Sequence, residues 1–370
     1  MRAQPQLCSP LLKLARTNSA PSEEKPSPRE LGYRMPAEWE PHRATWLAWP
    51  HNLETWPTQL ELAKEAWVEM ARAISLGEEV RLLVNDERSQ ADAARRLREA
   101  GAVMERVSLH RIPTVDVWIR DYGPTFISKR KDERSLAFVD WVFNAWGQKY
   151  ECYTQDDKVA KEIALLLRVP VFEPGIVLEG GSIDVNGCGT CLTTEQCLLN
   201  PNRNPDLDQG QIEQALRDHL GVDHSVWLGK GIVGDDTDGH IDDIARFVNP
   251  TTVVCALGED SRDEDYAPLR ENYERLQRAT DQDGRRLTVV PLPVPGRVVD
   301  EGTRLPATYA NFYIANAVVL VPTYDHPNDR LALGILSDLF PEREILGIPC
   351  RPLVAGLGAI HCVTQQEPSP

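Results

Sequence analysis

The chain carries TDGHIDDIARFVNPTTVVCAL at residues 237–257, where a polar segment leads into two apolar runs separated by Asn249 and Pro250. The apolar runs predict a strand, a turn and a second strand, because Asn and Pro interrupt a β-prone sequence. If the polar segment is also extended, His240 and Asp242 share a face, since alternate side chains of a strand point the same way. The stretch therefore predicts an imidazole and a carboxylate beside the core.

Further chemically active side chains follow apolar runs elsewhere in the sequence. They are Cys362 in AGLGAIHCVTQQEP (355–368), Asp121 in VDVWIRDYGPTF (115–126) and Glu179 in IVLEGGSIDV (176–185). A thiol, an imidazole and carboxylates are the groups that covalent catalysis by cysteine uses. Because they are far apart in the sequence, the fold must bring them together.

The combination of one thiol with several carboxylates favours a cationic substrate. Ester and amide hydrolases stabilise a developing oxyanion, which neighbouring carboxylates would oppose. A guanidinium group fits better, since its planar N–H groups pair with carboxylates in a bidentate manner. A thiolate would attack its central carbon, and a histidine would protonate the departing amine before water releases the product. The predicted reaction is hydrolytic loss of ammonia.

Eight blocks of sequence carry a resemblance to a known family. In chain order they are MPAEWEPHRATWLAWPHNLETWP, WIRDYGPTF, DWVFNAWG, LEGGSI, LTTEQCLLNPNRNP, GDDTDGHIDD, NFYIAN and IHCVTQQEP. Through them the chain resembles agmatine deiminases of the bacterial-type peptidylarginine deiminase family, from about Gly32 to Pro368. Blocks that occur together in family order are stronger evidence than any one of them.

The resemblance implies an α/β fold of the pentein type, which is a five-bladed α/β propeller of ββαβ units with the active site in a central channel. Periodicity alone favours a different fold, one doubly wound sheet, because helices and buried strands alternate. No repeat of fixed length is visible. The predicted helices span 60–75, 86–100, 157–168, 209–220, 265–280 and 328–340, and the predicted strands span 79–84, 286–292 and 317–322.

The resemblance also implies the roles of the site residues. Cys362 resembles the nucleophile, His240 the general acid and base, and Asp121 and Asp242 the carboxylates that hold the guanidinium. Glu179 resembles an additional site carboxylate. The implied reaction converts agmatine and water to N-carbamoylputrescine and ammonia, with no metal or organic cofactor.

Three further residues are predicted to contact the substrate. Trp118 stands three residues before Asp121, where its ring would pack on a guanidinium or alkyl-ammonium group. We also predict substrate contacts at Gly180, where a glycine leaves room for a ligand or another backbone segment, and at Gly358. His361 is expected to be structural or to point away from the site, because adjacent strand residues face opposite sides.

Two departures from the family pattern concern the far end of the substrate. Val115 precedes Asp116 where relatives often have Asn, and Leu357 and Ala359 stand in a segment that relatives fill with Gly and Asn. The residues predicted to carry out the reaction are unaffected by these changes. These changes therefore bear on which guanidine is bound and not on the type of reaction.

Three alternatives remain open from the sequence. A deiminase of peptidyl or free arginine would share the chemistry but would need a cation to receive a carboxylate, for which Arg120 and Arg304 are candidates. A guanidine-binding protein without catalysis would not require Cys362 and His240. An amidinotransferase would release the intermediate with an amine instead of water.

The remaining cysteines include CGTC, formed by Cys188 and Cys191, with Cys197 nearby. Such a pair ligates zinc or forms a redox couple in other proteins. We expect neither, because no second CxxC and no suitably spaced histidine pair would complete the four ligands of a structural zinc site. Eight cysteines without a regular framework indicate reduced thiols.

The net charge of −16 and the pI of about 5.0 exclude the basic surface that nucleic-acid binding needs, and would attract small cations. No apolar run approaches the roughly 20 residues of a membrane span. We therefore expect a small cationic guanidine as the partner, with neither nucleic acid nor membrane. A cytoplasmic location is expected, and the family resemblance suggests a homodimer.

The first 32 residues differ from the rest because Pro, Ser and Ala are frequent, and we predict that 1–32 is a disordered extension. Basic residues without an acidic one before Glu23 are weakly compatible with an organellar transit peptide, although a disordered tail or an upstream start codon explains them equally well. Residues 33–368 are predicted to form a single catalytic domain, since no Ser/Gly-rich linker divides them.

Overall fold

The computed structural model of the chain describes residues 26–129 and 136–369. Its strands are β1 (His42–Ala48), β2 (Glu79–Val84), β3 (Val107–Arg111), β4 (Thr125–Ile127), β5 (Ala137–Val139), β6 (Val171–Phe172), β7 (Asp184–Val185), β8 (Thr190–Thr194), β9 (His224–Leu228), β10 (Ala245–Asn249), β11 (Thr252–Ala256), β12 (Thr288–Leu292), β13 (Val299–Asp300), β14 (Thr303–Arg304), β15 (Tyr313–Ile314), β16 (Val318–Thr323), β17 (Glu344–Pro349) and β18 (Gln365–Pro368). Its α-helices are α1 (Leu60–Ile74), α2 (Glu87–Glu99), α3 (Ile119–Tyr122), α4 (Ala145–Gln148), α5 (Val159–Leu167), α6 (Glu195–Leu198), α7 (Gln209–Leu220), α8 (Tyr266–Arg278), α9 (Asn328–Leu339) and α10 (Arg351–Val354). Short 3₁₀ turns lie at Met104–Arg106, Asp156–Lys158, Gly180–Ser182, Ile241–Asp243 and His361–Val363.

The first residues that the structure describes contact the folded domain directly. Most of the predicted disordered extension, residues 1–25, lies outside the described residues. In the following segment, the Arg29 backbone N–H donates to the Asp218 carbonyl, and the Arg29 guanidinium lies 2.6 Å from the Asp223 carboxylate. These contacts fasten the segment before β1 to α7 and the loop that follows it.

Five sheets in the described residues share one connectivity. Their strand orders are β18-β1-β2-β3, β4-β5-β6, β7-β8-β9, β10-β11-β12 and β15-β16-β17. In each, the first two strands are antiparallel and the second and third are parallel. A helix joins each parallel pair, because parallel neighbours need a crossover connection. The strands therefore form five ββαβ units of similar connectivity, and the prediction of one doubly wound sheet from periodicity is wrong.

The first unit is completed by the last strand of the fold. Strand β18 pairs antiparallel with β1, with Trp46 opposite Gln365 and His42 opposite Pro368. The Trp46 indole N–H donates to the Glu367 carboxylate over 2.9 Å, and Arg81 on β2 pairs with the same carboxylate at 2.9 Å. This pairing brings the segment just before β18 to the sheet that begins the domain.

The amphipathic pattern correctly predicted all six long helices. In α1 the buried residues Ala63, Trp67, Met70 and Ile74 recur at helical spacing and pack into the largest core cluster. Helix α7 spans the predicted residues and begins with a capping box between Asp208 and Gln211. The three predicted strands correspond to β2, β12 and β16.

The prediction of an extended segment at His240 is wrong. Residues 241–243 form a 3₁₀ turn in which the Ile244 N–H donates to the Ile241 carbonyl over 2.9 Å, and β10 begins only at Ala245. Side-chain alternation therefore does not apply to this segment. The following strand, turn and strand are confirmed as β10 and β11.

None of the helices within the described residues has the length and apolar character needed to cross a membrane.

Candidate active site

Five segments, each just before the first strand of a unit, carry the side chains of the candidate site. Asp121 lies on α3 before β4, and Glu179 precedes the 180–182 turn before β7. His240 precedes the 241–243 turn, which contains Asp242 and lies before β10. Asn311 lies before β15, and Cys362 lies in the 361–363 turn before β18. The shared connectivity gives these segments equivalent positions in their units. Hydrogen bonds between them show that they meet.

The Cys362 thiol is buried and contacts an amide and a carboxylate. The Asn311 Nδ2–H donates to the sulfur over 3.2 Å, and Asp242 Oδ2 lies 3.9 Å from it. Burial, with Asp242 and Asp243 next in importance, raises the pKa of the Cys362 thiol well above its ordinary value. The thiol is therefore protonated at neutral pH when the site is empty.

His240 is neutral in this site. Burial lowers the pKa of His240 to about 3, and Asp242 opposes that shift only in part. Its Nδ1 lies 3.7 Å from Asp121 Oδ1 and its Nε2 lies 4.0 Å from Glu179 Oε2, beyond hydrogen-bond distance. Within the described part of the chain neither ring nitrogen has a hydrogen-bond partner, so both can exchange a proton with a ligand.

The two carboxylates predicted to hold the guanidinium differ in their environments. Asp121 accepts from the Gly181 backbone N–H at 3.0 Å and from the Trp146 indole N–H at 2.9 Å, while burial, Asp242 and Glu179 raise its pKa well above the ordinary value. Asp242 Oδ2 lies 2.6 Å from Nδ1 of His361. Burial opposes ionisation of Asp242, but the contact with His361 lowers its pKa overall.

Glu179 is fully buried and held by an arginine. The Arg203 Nε–H donates to Glu179 Oε1 over 2.7 Å, and the same guanidinium binds Asp238 at 2.7 Å. Burial raises the pKa of Glu179, with Arg203 opposing the shift. Glu179 Oε2 has no hydrogen-bond partner among the described residues, so it faces His240 unpaired.

Gly181 lies where the catalytic groups meet. A Cβ atom there would lie 2.5 Å from His240 Nδ1, 2.8 Å from Asp121 Oδ1 and 3.2 Å from Asp242 Oδ2, so no side chain fits. At the predicted site residue Gly180, a Cβ would instead lie 2.1 Å from the Arg120 carbonyl oxygen. Gly180 therefore permits a close approach of two backbones.

A cavity of about 380 Å³ reaches the thiol. Cys362 and Asp121 line it and are both nearly buried, so they form its deep end. Its aromatic lining is Trp118, Trp146 and Tyr150. Five further carboxylates, here called the acidic wall, also line the cavity: Glu54, Asp116, Asp236, Asp300 and Glu301. Neither Lys nor Arg is among the described lining residues.

The structure places two of the predicted substrate contacts on this cavity. Trp118 and Gly358 line it and touch each other, because a Cβ at Gly358 would lie 2.4 Å from the Trp118 ring. Leu357 also lines the cavity, whereas Glu179, Gly180, His240 and Asp242 are buried and are not among its lining residues.

A left-handed turn positions one of the aromatic residues. Ala145, Trp146, Gly147 and Gln148 all have positive φ, between 54° and 93°. This conformation is strained for residues other than Gly, and it persists only where surrounding contacts hold it. Here the Asn144 side chain accepts from the Gly147 N–H at 2.8 Å, and the Trp146 indole reaches Asp121.

Neither arginine considered as a carboxylate receptor lies on the cavity. Arg120 is buried and donates to Gln366 Oε1 and the His361 carbonyl, and Arg304 pairs with Asp263 and Asp265. Both guanidiniums are therefore engaged elsewhere.

The expectation that His361 points away from the site is wrong. Residues 361–363 form a 3₁₀ turn, not a strand, so the alternation argument does not apply. The His361 ring lies between Asp242 and Glu38. Sequence reasoning also missed the contacts of Asn311, Trp146 and Arg203, although all three fall inside the quoted family blocks.

Two groups of buried side chains have ligand atoms within 4.8 Å of one another, namely Glu179, Cys197 and His240, and Asp242, Asp243 and Cys362. Several of these groups already have partners. Arg203 binds Glu179, His361 binds Asp242, and Asn311 donates to Asp243 over 2.9 Å. We therefore assign no metal ligand among them.

The CGTC cysteines lie apart from the site. Cys188 is exposed, whereas Cys191 lies buried in β8, and both are free thiols. They belong to neither of the two groups of potential ligand atoms found in the described residues.

Comparison with known proteins identifies close relatives. The model of the Porphyromonas-type peptidyl-arginine deiminase family matches residues 34–368. An agmatine deiminase of Stutzerimonas stutzeri is 40% identical over 367 residues, covering 93% of this chain and 98% of its own length. A solved structure of the agmatine deiminase of Enterococcus faecalis, described as catalyzing its reaction, has a TM-score of 0.87 and 37% identity, covering 93% of this chain and 98% of that one.

A more distant solved structure shares the mixed α/β fold alone. It is an amidinotransferase from Microseira wollei, with a TM-score of 0.51 and 10% identity, covering 91% of this chain and 98% of that one.

Proposed function

Because the chain belongs to the Porphyromonas-type peptidyl-arginine deiminase family, we propose that it hydrolyses agmatine to N-carbamoylputrescine and ammonia. The relatives from S. stutzeri and E. faecalis are agmatine deiminases by name. The observation in this chain that carries the proposal is the cavity, which ends at Cys362 and is lined by carboxylates without Lys or Arg among the described residues. A molecule with a guanidinium at one end and an ammonium at the other matches that charge distribution.

The cavity supports one orientation of agmatine. The guanidinium lies at the deep end, between Asp121 and Asp242, and its central carbon faces the Cys362 sulfur. The aliphatic chain packs against Trp118 and Trp146, and the ammonium reaches the acidic wall. Free arginine fits less well, because its carboxylate would meet the acidic wall, where Lys149 is already paired with Asp236 and Asp238.

The first chemical step is formation of the S-amidino intermediate. A bound guanidinium offsets the negative field that raises the pKa of the Cys362 thiol, so the thiol proton passes to neutral His240. The thiolate then forms the S–C bond, and the C–N bond to one terminal amine breaks as the His240 imidazolium protonates it. Ammonia leaves, and His240 is neutral again.

Hydrolysis of the intermediate uses the same histidine. Neutral His240 takes a proton from water as the oxygen attacks the amidino carbon, and the C–S bond then breaks. The thiolate recovers its proton from His240, and the hydroxyl proton of the new urea passes to the released ammonia. Guanidinium and water thus become a urea and ammonium, so atoms and charge balance.

Two other classes of function are less well supported. A guanidine-binding protein without catalysis would have no use for a thiol on the cavity or for a buried imidazole whose two nitrogens have no hydrogen-bond partner among the described residues. An amidinotransferase would release the intermediate with an amine instead of water, whereas the relatives from S. stutzeri and E. faecalis are deiminases by name.

We further propose that the five ββαβ units form the five blades of a propeller around the site. The support is their shared connectivity, the pairing of β18 with β1, and the meeting of the five segments that precede their first strands. A cytoplasmic location and a homodimer remain predictions. Sedimentation of the purified protein would give the number of subunits.

The test of the function is ammonia release from agmatine, free arginine and a peptidylarginine in parallel. We expect release from agmatine, loss of turnover in Cys362→Ser with an unchanged circular dichroism spectrum, and normal turnover in Cys255→Ser. Cys255 is a matched control, because it is a buried free thiol in β11 outside the cavity. Release from another guanidine alone would contradict the substrate, and turnover by Cys362→Ser would contradict the mechanism.

A further inference from the structure

One buried histidine outside the proposed reaction lies between two carboxylates. His361 Nδ1 is 2.6 Å from Asp242 Oδ2, and His361 Nε2 is 2.8 Å from Glu38 Oε2. The ring is 2% exposed, so no bulk water competes for these contacts. Both ring nitrogens therefore face oxygen atoms that accept hydrogen bonds when ionised.

Glu38 is held in its ionised form by other groups. Its Oε1 accepts from the Ile314 backbone N–H at 2.8 Å and lies 2.9 Å from an Arg246 nitrogen. Arg120 contributes a second guanidinium, 3.4 Å from Oε2. Burial opposes ionisation, but charged neighbours, with Arg246 the largest contributor, lower the pKa of Glu38 well below its ordinary value.

A neutral imidazole has one N–H donor and one acceptor, so it cannot donate to two ionised carboxylates at once. The imidazolium form donates from both nitrogens. From this geometry we infer that His361 is a fixed cation and a positioning residue, which keeps Asp242 ionised and oriented for the substrate guanidinium. The inference deepens the proposed function and rests on it for the identity of the ligand.

The contact with His361 leaves one oxygen of Asp242 available. Asp242 Oδ2 is engaged by the imidazolium, whereas Oδ1 is buried and has no hydrogen-bond partner among the described residues. An unpaired buried carboxylate oxygen is costly unless a ligand satisfies it. A guanidinium N–H at Oδ1 would do so.

The backbone of His361 is fixed as well. Its N–H donates to Asn311 Oδ1 over 2.9 Å, and its carbonyl accepts from Arg120 Nε at 3.3 Å. The turn that carries the ring therefore cannot shift without breaking contacts to other units. A buried ionic network of this kind is weak evidence for stability but suits a role in orientation.

Several other charges face the pair and set the background for any pH effect. They are Glu38, Asp184, Arg120, Arg246, Asp121, Asp243, Asp235, His240 and the thiol of Cys362. Burial is the largest effect that opposes ionisation of Asp242. The hydrogen bond with His361 is the largest effect that favours it.

Two variants separate the contacts of His361. In His361→Asn the amide nitrogen replaces Nδ1 and keeps the donor to Asp242, whereas in His361→Gln it replaces Nε2 and keeps the donor to Glu38. We expect a roughly 10- to 100-fold loss of kcat/KM for agmatine in His361→Gln and a smaller loss in His361→Asn. In His361→Gln the acidic limb of the kcat/KM profile should move to higher pH, because Asp242 ionises less readily.

A matched control is His42→Gln. His42 is also buried, and its Nδ1 lies 3.1 Å from the Glu78 carboxylate, outside the cavity lining. We expect it to lower the melting temperature without moving the pH profile. Equal losses in both His361 variants with an unmoved pH profile would assign His361 a merely structural role and overturn the inference.

The charge of His361 can be tested without turnover. In protein labelled with ¹⁵N-histidine, the His361 signals, identified by their absence in His361→Asn, should show a proton on each ring nitrogen, because each nitrogen faces a carboxylate oxygen. A neutral tautomer would overturn the inference even if agmatine is the substrate. A detected imidazolium in a protein inactive on agmatine would instead contradict the proposed function alone.

Discussion

The amide of Asn311 lies 3.2 Å from the sulfur of Cys362, and the same Nδ2 atom lies 2.9 Å from Asp243 Oδ1. The side-chain oxygen of Asn311, Oδ1, in turn accepts from the His361 backbone N–H. One side chain thus fixes the thiol, a neighbouring carboxylate and the turn that carries the nucleophile.

Replacing this amide with a carboxylate should impair the first chemical step. Asn311→Asp removes the donor to sulfur and adds a negative charge, which raises the thiol pKa further. We expect a loss of about 100-fold or more in kcat, measured as ammonia release from agmatine. Asn249→Asp is the control, since its Oδ1 accepts from backbone N–H groups and the Thr251 hydroxyl in the β10–β11 turn, away from the thiol. Full activity of Asn311→Asp would show that the contact is dispensable.

The Trp146 indole should orient Asp121. Trp146→Phe removes the donor to Asp121 Oδ2 but keeps a ring that can pack on Phe143. A roughly 10-fold loss of kcat/KM for agmatine is expected from losing a hydrogen bond to a charged group. The control Trp141→Phe removes an indole N–H that donates to Thr125 Oγ1 and not to Asp121, so turnover should be unaffected. Indistinguishable kinetics for the two variants would rule out the orienting role.

The acidic wall should attract the ammonium end of the substrate. The double variant Asp300→Lys, Glu301→Lys reverses two charges on the β13–β14 turn at the cavity mouth. We expect KM for agmatine to rise about 10-fold or more with little change in kcat, and more strongly at low salt. Asp206→Lys, an exposed charge outside the cavity lining, should change neither value. An unchanged KM in the double variant would place the ammonium elsewhere.

Asp156 should make stability depend on pH. Burial raises its pKa from 3.8 to about 7, although the backbone N–H of Val115 donates to it. A carboxyl group with a raised folded-state pKa stabilises the fold below its unfolded pKa, and this contribution is lost as pH rises through the folded pKa. The free energy of unfolding should therefore fall between about pH 4 and pH 7 by on the order of a few kcal/mol.

Urea unfolding of the wild type and Asp156→Asn across this range measures the effect. The variant has no group to ionise at this position, so its free energy of unfolding should vary less with pH. If the free energy of unfolding varies with pH in the same way in both proteins, the pKa of Asp156 is not raised in the folded state.

Much of the local structure could be predicted, because its causes are local. Helix α7 carries its own capping box and ends at Gly221, whose φ of 69° is left-handed. The strands β2 and β16 are short apolar runs between helices. The fivefold connectivity could not be found from sequence periods, because three-stranded units of different loop length keep their topology without keeping a repeat.

The candidate catalytic residues could also be predicted from the sequence, since Cys362, His240, Asp121 and Asp242 stand in recognisable blocks, and the structure brings them together. The contacts around them could not be predicted in this way. The position of His361 depends on a 3₁₀ turn, and the left-handed conformation of Ala145 and Trp146 contradicts their intrinsic preference. Tertiary contacts determine both conformations, and no local sequence pattern indicates either one.

The pairing of β18 with β1 sets the order in which activity can appear during synthesis. Trp46 and its partner Glu367 are 321 residues apart, so a ribosome completes almost the whole domain before β1 can acquire its outer neighbour. Until then the edge of β1 is unpaired and open to association with other chains. Cys362, the proposed nucleophile, is synthesised with that same final segment. A nascent chain is therefore chemically inert, and it becomes an enzyme only when its edge is covered.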